Sequence, residues 1–81
     1  MDKRLGVIGI IVENIENAHI VNEILHNFSD VIVGRMGIPY KEKRVSVISI
    51  IVDGSMDSIS AMTGKLGNIN GVSVKSAISR K

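Results

Sequence analysis

The sequence predicts an α+β fold in the order β-α-β-β-α-β, a four-stranded antiparallel sheet with two helices on one face. Three observations lead there: an internal repeat, short β-branched runs at the head of each copy, and a helix-spaced apolar stripe behind each run. Val7-Ile8-Gly9-Ile10-Ile11-Val12-Glu13-Asn14 aligns with Val47-Ile48-Ser49-Ile50-Ile51-Val52-Asp53-Gly54 at an offset of 40 residues, with five apolar positions identical. A weaker second half follows in each unit, Val31-Ile32-Val33-Gly34-Arg35 in the first and Val72-Ser73-Val74-Lys75-Ser76 in the second. A solenoid needs about three repeats to be stable. Two copies instead suit two β-α-β units folded together in one domain spanning residues 1–81.

Each element has a local reason. Leu5 to Val12 and Val45 to Val52 are apolar, β-branched and too short for ordinary helices. Asn14 is a suitable N-cap for a first helix running to about Phe28. Ala18, Val21, Leu25 and Phe28 lie on one face of that helix. Val31 to Met36 forms the second strand, and Gly37 to Arg44 reads as a loop in which Pro39 denies the ladder a donor. Ser55 or Asp57 caps the second helix, Ile59, Met62 and Leu66 face inward, and Gly67 stops it. Gly64 inside that helix costs about 1 kcal/mol relative to alanine, which points to close packing or an early end. Asn70-Gly71 turns the chain into a last strand, Val72 to Ile78.

Counting faces predicts assembly. The first strand is apolar on both sides, with Leu5, Val7 and Ile11 opposite Ile8, Ile10 and Val12. The third repeats this, with Val45, Val47 and Ile51 opposite Ile48, Ile50 and Val52. The fourth alternates apolar Val72, Val74 and Ile78 with polar Ser73 and Lys75. In a ferredoxin-like arrangement the first and third strands are central and both helices cover the same face. The other face then needs a cover, because strands apolar on both sides are buried on both sides and large apolar patches mark interfaces. A homodimer or homotetramer is expected.

Composition removes several function classes. Absence of cysteine excludes disulfides, thiolate metal sites, thiol nucleophiles and paired-cysteine copper chaperones. A net charge of +2 without a basic stripe argues against direct nucleic-acid binding. Phe28 and Tyr40 are the only aromatics and neither lies on a central strand, so the base-stacking platform of RNA-recognition domains is missing. The eight apolar residues Leu5 to Val12 are too few to span a membrane, so a cytoplasmic protein without membrane association is expected.

The chemistry-bearing residues are few. His19 and His26 sit seven apart on the first helix, about 10.5 Å along its axis, too far to share one ion within a chain. No metal site and no cofactor can be named from them. No catalytic set appears, since there is no Ser-His-Asp arrangement and Gly64 to Gly67 lacks the strand that a phosphate-binding loop follows. The chain is not expected to be an enzyme. Gly34-Arg35-Met36-Gly37-Ile38-Pro39-Tyr40 is the most unusual stretch: Arg35 offers a bidentate anion or partner contact, and the glycines admit a ligand to the backbone. A bulged edge strand with a rigid loop explains the same residues. Glu13-Asn14 and Asp53-Gly54 occupy equivalent loops after the central strands, where they either complement a helix dipole or form a ligand mouth. The candidate ligand-binding set is Glu13, Asn14, Gly34, Arg35, Met36, Gly37 and Tyr40.

Val33 to Tyr40, Val47 to Gly54, Thr63-Gly64-Lys65-Leu66-Gly67 and Gly71-Val72-Ser73-Val74-Lys75 closely resemble the small ACT-like proteins known as iron-only hydrogenase system regulators, over about Arg4 to Ala77. The resemblance implies an ACT-like version of the ferredoxin-like fold, similar to the C-terminal domain of the nickel-responsive regulator, and a role in controlling hydrogenase expression or maturation. ACT domains as a class bind small effectors at loops and subunit interfaces. The nickel regulator's cysteine ligand has no counterpart here, and no residues remain for its ribbon-helix-helix DNA reader. The expected partners are therefore a second copy of the chain and either a small-molecule effector or a protein; the competing expectation is an oligomerisation or adaptor module without a ligand.

Overall fold

The computed structural model describes residues 3–80. Strand β1 (Lys3–Val12) passes through a 3-10 turn at Ile15–Asn17 into helix α1 (Ala18–Asn27), and a second 3-10 turn at Ser29–Val31 leads to β2 (Ile32–Tyr40). The unit then recurs as β3 (Val45–Ser55), α2 (Met56–Gly67) and β4 (Val72–Ile78). The strands pair antiparallel in the order β2-β3-β1-β4. This is the ferredoxin-like α+β architecture, with β1 and β3 central.

The core lies between the helices and one side of the sheet. Ile8, Ile10 and Val12 from β1 and Ile48, Ile50 and Val52 from β3 meet Val21 and Leu25 of α1 and Ile59, Met62 and Leu66 of α2. These are the faces that alternation and helical spacing predict. Ser55, not Asp57, caps α2: its Oγ accepts the Ser58 N–H at 3.1 Å, while Asp57 places a negative charge in the first turn, where the helix dipole favours it. Asn14 Oδ1 accepts the Glu16 N–H at 3.1 Å, so the cap read from the sequence opens the 3-10 turn, and α1 proper begins later.

Three expectations change. The predicted loop from Gly37 to Arg44 shrinks to a turn at residues 41–44, with Arg44 left-handed at φ 57°, because β2 continues to Tyr40. Pro39 is tolerated there, since β2 is an edge strand with a partner on one side only. Asp53 and Gly54 are not a loop either. They extend β3 opposite Leu5 and Arg4, because β1 begins two residues earlier than its apolar run. Gly64 neither packs closely nor ends the helix: a Cβ there would meet nothing within 4 Å, and α2 runs on to Gly67.

The repeat is visible as symmetry. Gly9 and Ser49 are equivalent at the offset of 40 and are also direct partners in the β1–β3 ladder. An approximate two-fold axis therefore passes between them, normal to the sheet, and exchanges the two β-α-β halves. The register breaks at one place, a bulge between Ile32 and Gly34 that leaves Val33 unpaired. The ladder register, with this bulge, corrects the alignment of the weaker half-repeats. Arg35 lies opposite Ile50 and Val74 lies opposite Ile10, so Arg35 corresponds to Val74 and not to Ser76.

Candidate functional site

Two features face outward, one on each side of the sheet. The side away from the helices carries Leu5, Val7 and Ile11 from β1, Val47 and Ile51 from β3, and Met36, Ile38 and Tyr40 from β2, each between 43 and 65% exposed. Cross-strand pairs join them: Val7 with Ile51, Ile11 with Val47, Ile38 with Val47. Gly9 and Ser49 leave the middle of this face low, and a hollow of about 220 Å³ opens beside them, bounded by Gly34, Arg35, Met36, Ser49 and Ile51. Beyond Gly9, β4 contributes the polar Ser73 and Lys75.

On the helical side, α2 lies against β4 while α1 stands off the β2 edge. The gap is an open cleft of about 220 Å³ lined by Asn22, Leu25, His26, Ser29, Ile32 and Arg35. Arg35 is on the helix side because its partner Ile50 is, and its Nη2 donates to Asn22 Oδ1 at 2.9 Å. No carboxylate among the described residues is within ion-pair distance of the guanidinium.

The structure divides the sequence-derived set into three groups. Gly34, Met36 and Tyr40 stand on the open face, while Arg35 and Gly37 turn toward the helical side, where a Cβ on Gly37 would lie 3.7 Å from Ile48. Glu13 and Asn14 follow the far end of β1. Arg35 is level with Ile8, so Glu13 lies roughly 16 Å further along the strand direction. That far loop is tied to the last turn: the Glu13 N–H donates to the Gly71 carbonyl at 2.7 Å, and Asn17 Nδ2 donates to the Asn70 carbonyl at 2.7 Å. Arg35 and Glu13 therefore do not meet within one chain, whereas Tyr40, opposite Val45, is about level with Glu13 and two strands away, roughly 10 Å across the sheet. Among the described residues no group of three or more His, Asp or Glu side chains is placed to hold a metal. His19 faces the Glu16 carbonyl with Nδ1 at 3.0 Å, and His26 borders the cleft. Asn22, His26 and Ser29 are cleft residues that sequence reasoning missed; the arginine that replaces the other half-repeat's valine becomes visible only once the bulge is counted.

Comparison with known proteins gives the family. The model of the TM1266-like family, designated iron-only hydrogenase system regulators, matches residues 4–76. The chain belongs to this family. Membership supports a regulatory role in the iron-only hydrogenase system. The solved structure of TM1266 from Thermotoga maritima is 41% identical, with 98% of this chain covering 100% of that one at a TM-score of 0.91. Fold alone is shared with the C-terminal domain of the MgtC protein from Mycobacterium tuberculosis, at 10% identity, 94% and 87% coverage and a TM-score of 0.68. The same holds for the nitrogen regulatory PII-like protein CPII of Thiomonas intermedia, at 12% identity, 98% and 99% coverage and a TM-score of 0.56, in a structure bound to ADP, AMP and bicarbonate. No curated protein sequence matches the chain. No described helix is long and apolar enough to cross a membrane.

Proposed function

We propose that this protein is a non-enzymatic, ACT-like regulatory module that self-associates through its open sheet face and senses a small effector for the hydrogenase system. The observation that carries the reading is the apolar face itself. Eight large apolar side chains on three neighbouring strands remain about half exposed, although the opposite face of the two central strands is closed. Apolar burial is worth about 25 cal/mol per Å², and that face is where an isolated copy forgoes it. The occupant proposed is a second copy, because the near two-fold arrangement of Val7, Ile11, Val47 and Ile51 about Gly9 and Ser49 suits a partner that is itself two-fold.

In this reading Gly34, Met36 and Tyr40 lie at the subunit boundary, with Arg35 and Gly37 on the same strand beside it. Glu13 and Asn14 lie at the Tyr40 end of the sheet and reach an effector held near Arg35 only if a neighbouring copy brings its own β2 edge to them. An effector that prefers one packing of the subunits biases the assembly by the difference in its affinities, and the assembly reports it to a partner protein. CPII, on the same fold, is seen with small anionic ligands. Transcription would be affected through that partner, not by direct contact of this chain with DNA.

Native mass spectrometry of the protein purified from its own host without chelators tests both parts. An oligomer with a discrete extra mass is the expected result. A monomer refutes the assembly. A clean oligomer that binds nothing supports the adaptor alternative, which the apolar lining of the hollow beside Ser49 favours.

A further inference from the structure

We infer that the cleft between α1 and the β2 edge is a small-oxyanion site, complete within one subunit, formed by Arg35, Asn22, His26 and Ser29. This deepens the sensing reading by naming an effector class, but it does not depend on assembly. The argument begins with the broken symmetry. At the position of Arg35 the second half-repeat has Val74, a partly buried apolar residue packed against the core beneath α2. The first half has a charged residue instead, and α1 stands away from the strand, leaving the cleft. A duplicated fold can close this gap with a valine, as its other half does. The opening is therefore not a requirement of the fold.

The lining is chemically one-sided. Arg35 presents five N–H donors and no acceptor. One nitrogen, Nη2, donates to Asn22 Oδ1, which holds the side chain along the cleft and leaves further donors for a ligand. With Oδ1 accepting from Arg35, the Asn22 amide group is left to donate outward. His26 is one helical turn beyond Asn22, in the last turn of α1, and brings a ring nitrogen to the cleft. Ser29 adds a hydroxyl. No carboxylate lines the cleft; Glu23 and Asp30 are sequence neighbours of the lining but not part of it. Leu25 and Ile32 form the apolar floor. Donors with no opposing acid select a carboxylate or phosphate oxygen pair, which matches the fork of an arginine. At about 220 Å³ the cleft is smaller than the roughly 300–1,000 Å³ of sites that enclose drug-sized ligands, so the ligand is a small anion or the anionic end of a larger molecule.

The test is an amide-resolved NMR titration of the full chain with inorganic phosphate and, separately, with acetate. The two arms distinguish a phosphate from a carboxylate preference. Saturable shifts at Asn22, His26, Ser29 and Ile32 with an affinity of about 1 mM or tighter are expected. Arg35→Gln is expected to weaken binding about ten- to hundred-fold, as loss of a charge-assisted contact does. Arg35→Lys restores only part, because the charge returns without the fork. The same titration on Ile51→Asp, a change on the opposite face, is expected to give the same shifts. Shifts centred on Lys41, Lys43 and Arg44, or shifts indifferent to Arg35→Gln, overturn the inference. Shifts that vanish in Ile51→Asp overturn it too, by moving the site to a subunit interface. A wild-type monomer that still binds anions here would defeat the assembly reading and leave this one standing.

Discussion

Replacing Ile51 with aspartate probes the open face at its most sensitive point. Ile51 pairs with Val7 and Gly34 beside the hollow and is 47% exposed in the single chain. Full burial of an isoleucine side chain is worth about 1.5–3 kcal/mol, so covering the exposed half contributes about 1 kcal/mol per copy. In a two-fold interface the position occurs twice, and the substitution removes about 2 kcal/mol of apolar burial. It also leaves two carboxylates to be desolvated without partners, which costs at least as much again. A loss of about 4 kcal/mol weakens association about a thousand-fold. The fold of the subunit is expected to survive, because Ile51 points away from the core and exposed strand substitutions change stability by about 1 kcal/mol or less. Sedimentation velocity at micromolar concentration reads the outcome, with circular dichroism as the control for folding. An unchanged sedimentation coefficient in Ile51→Asp, or a monomeric wild type, refutes the reasoning.

Other substitutions test the packing. Gly64→Ala places a methyl group in open space within α2 and is expected to stabilise by about 1 kcal/mol, read as a rise of about 4–8 °C in Tm. Gly71→Ala should do the reverse: φ is +79° and the new Cβ would lie 2.9 Å from Asn14 Cβ, so a loss of at least about 1–2 kcal/mol is expected in denaturant melts. Gly54→Ala is expected to be more damaging than Gly6→Ala in the same assay. The first meets Val31 at 2.7 and 3.0 Å, at its branch point, while the second meets the flexible end of Ile78 at 2.6 Å and the Ala77 carbonyl less tightly at 3.2 Å. Ser55→Ala removes the cap of α2 and should cost about 1 kcal/mol, largely recovered by Ser55→Asp.

Much of this fold is legible from two periodicities. Ile8, Ile10 and Val12 against Val7 and Ile11 already separate a buried from an open face, and Ile59, Met62 and Leu66 mark the covering helix. What was not legible depends on partners. Pro39 looks like a loop residue until β2 is known to be an edge strand, and Asp53-Gly54 looks like a loop until β1 is seen to supply Arg4 and Leu5 opposite it. The cleft was hidden for a similar reason. Asn22 and His26 are ordinary exposed helix residues in the sequence, and only the bulge at Val33 turns Arg35 toward the side where they stand. Without that bulge in the count, the offset of 40 aligns Arg35 with Lys75, and the substitution for Val74 goes unseen.

The near two-fold axis at Gly9 and Ser49 also bears on how the chain could be rewired. Leu5 at the start of β1 and Ser79 just after β4 are neighbours, since the Ser79 N–H donates to the Leu5 carbonyl at 2.8 Å. A short link from Arg80 to Lys3, with a cut in the turn at residues 41–44, gives the order β3-α2-β4-β1-α1-β2. Read from its new beginning, this circular permutant is again β-α-β-β-α-β. Topologically the backbone has two equivalent starting points, and the arginine at the β2 edge would then lie in the second half of the chain.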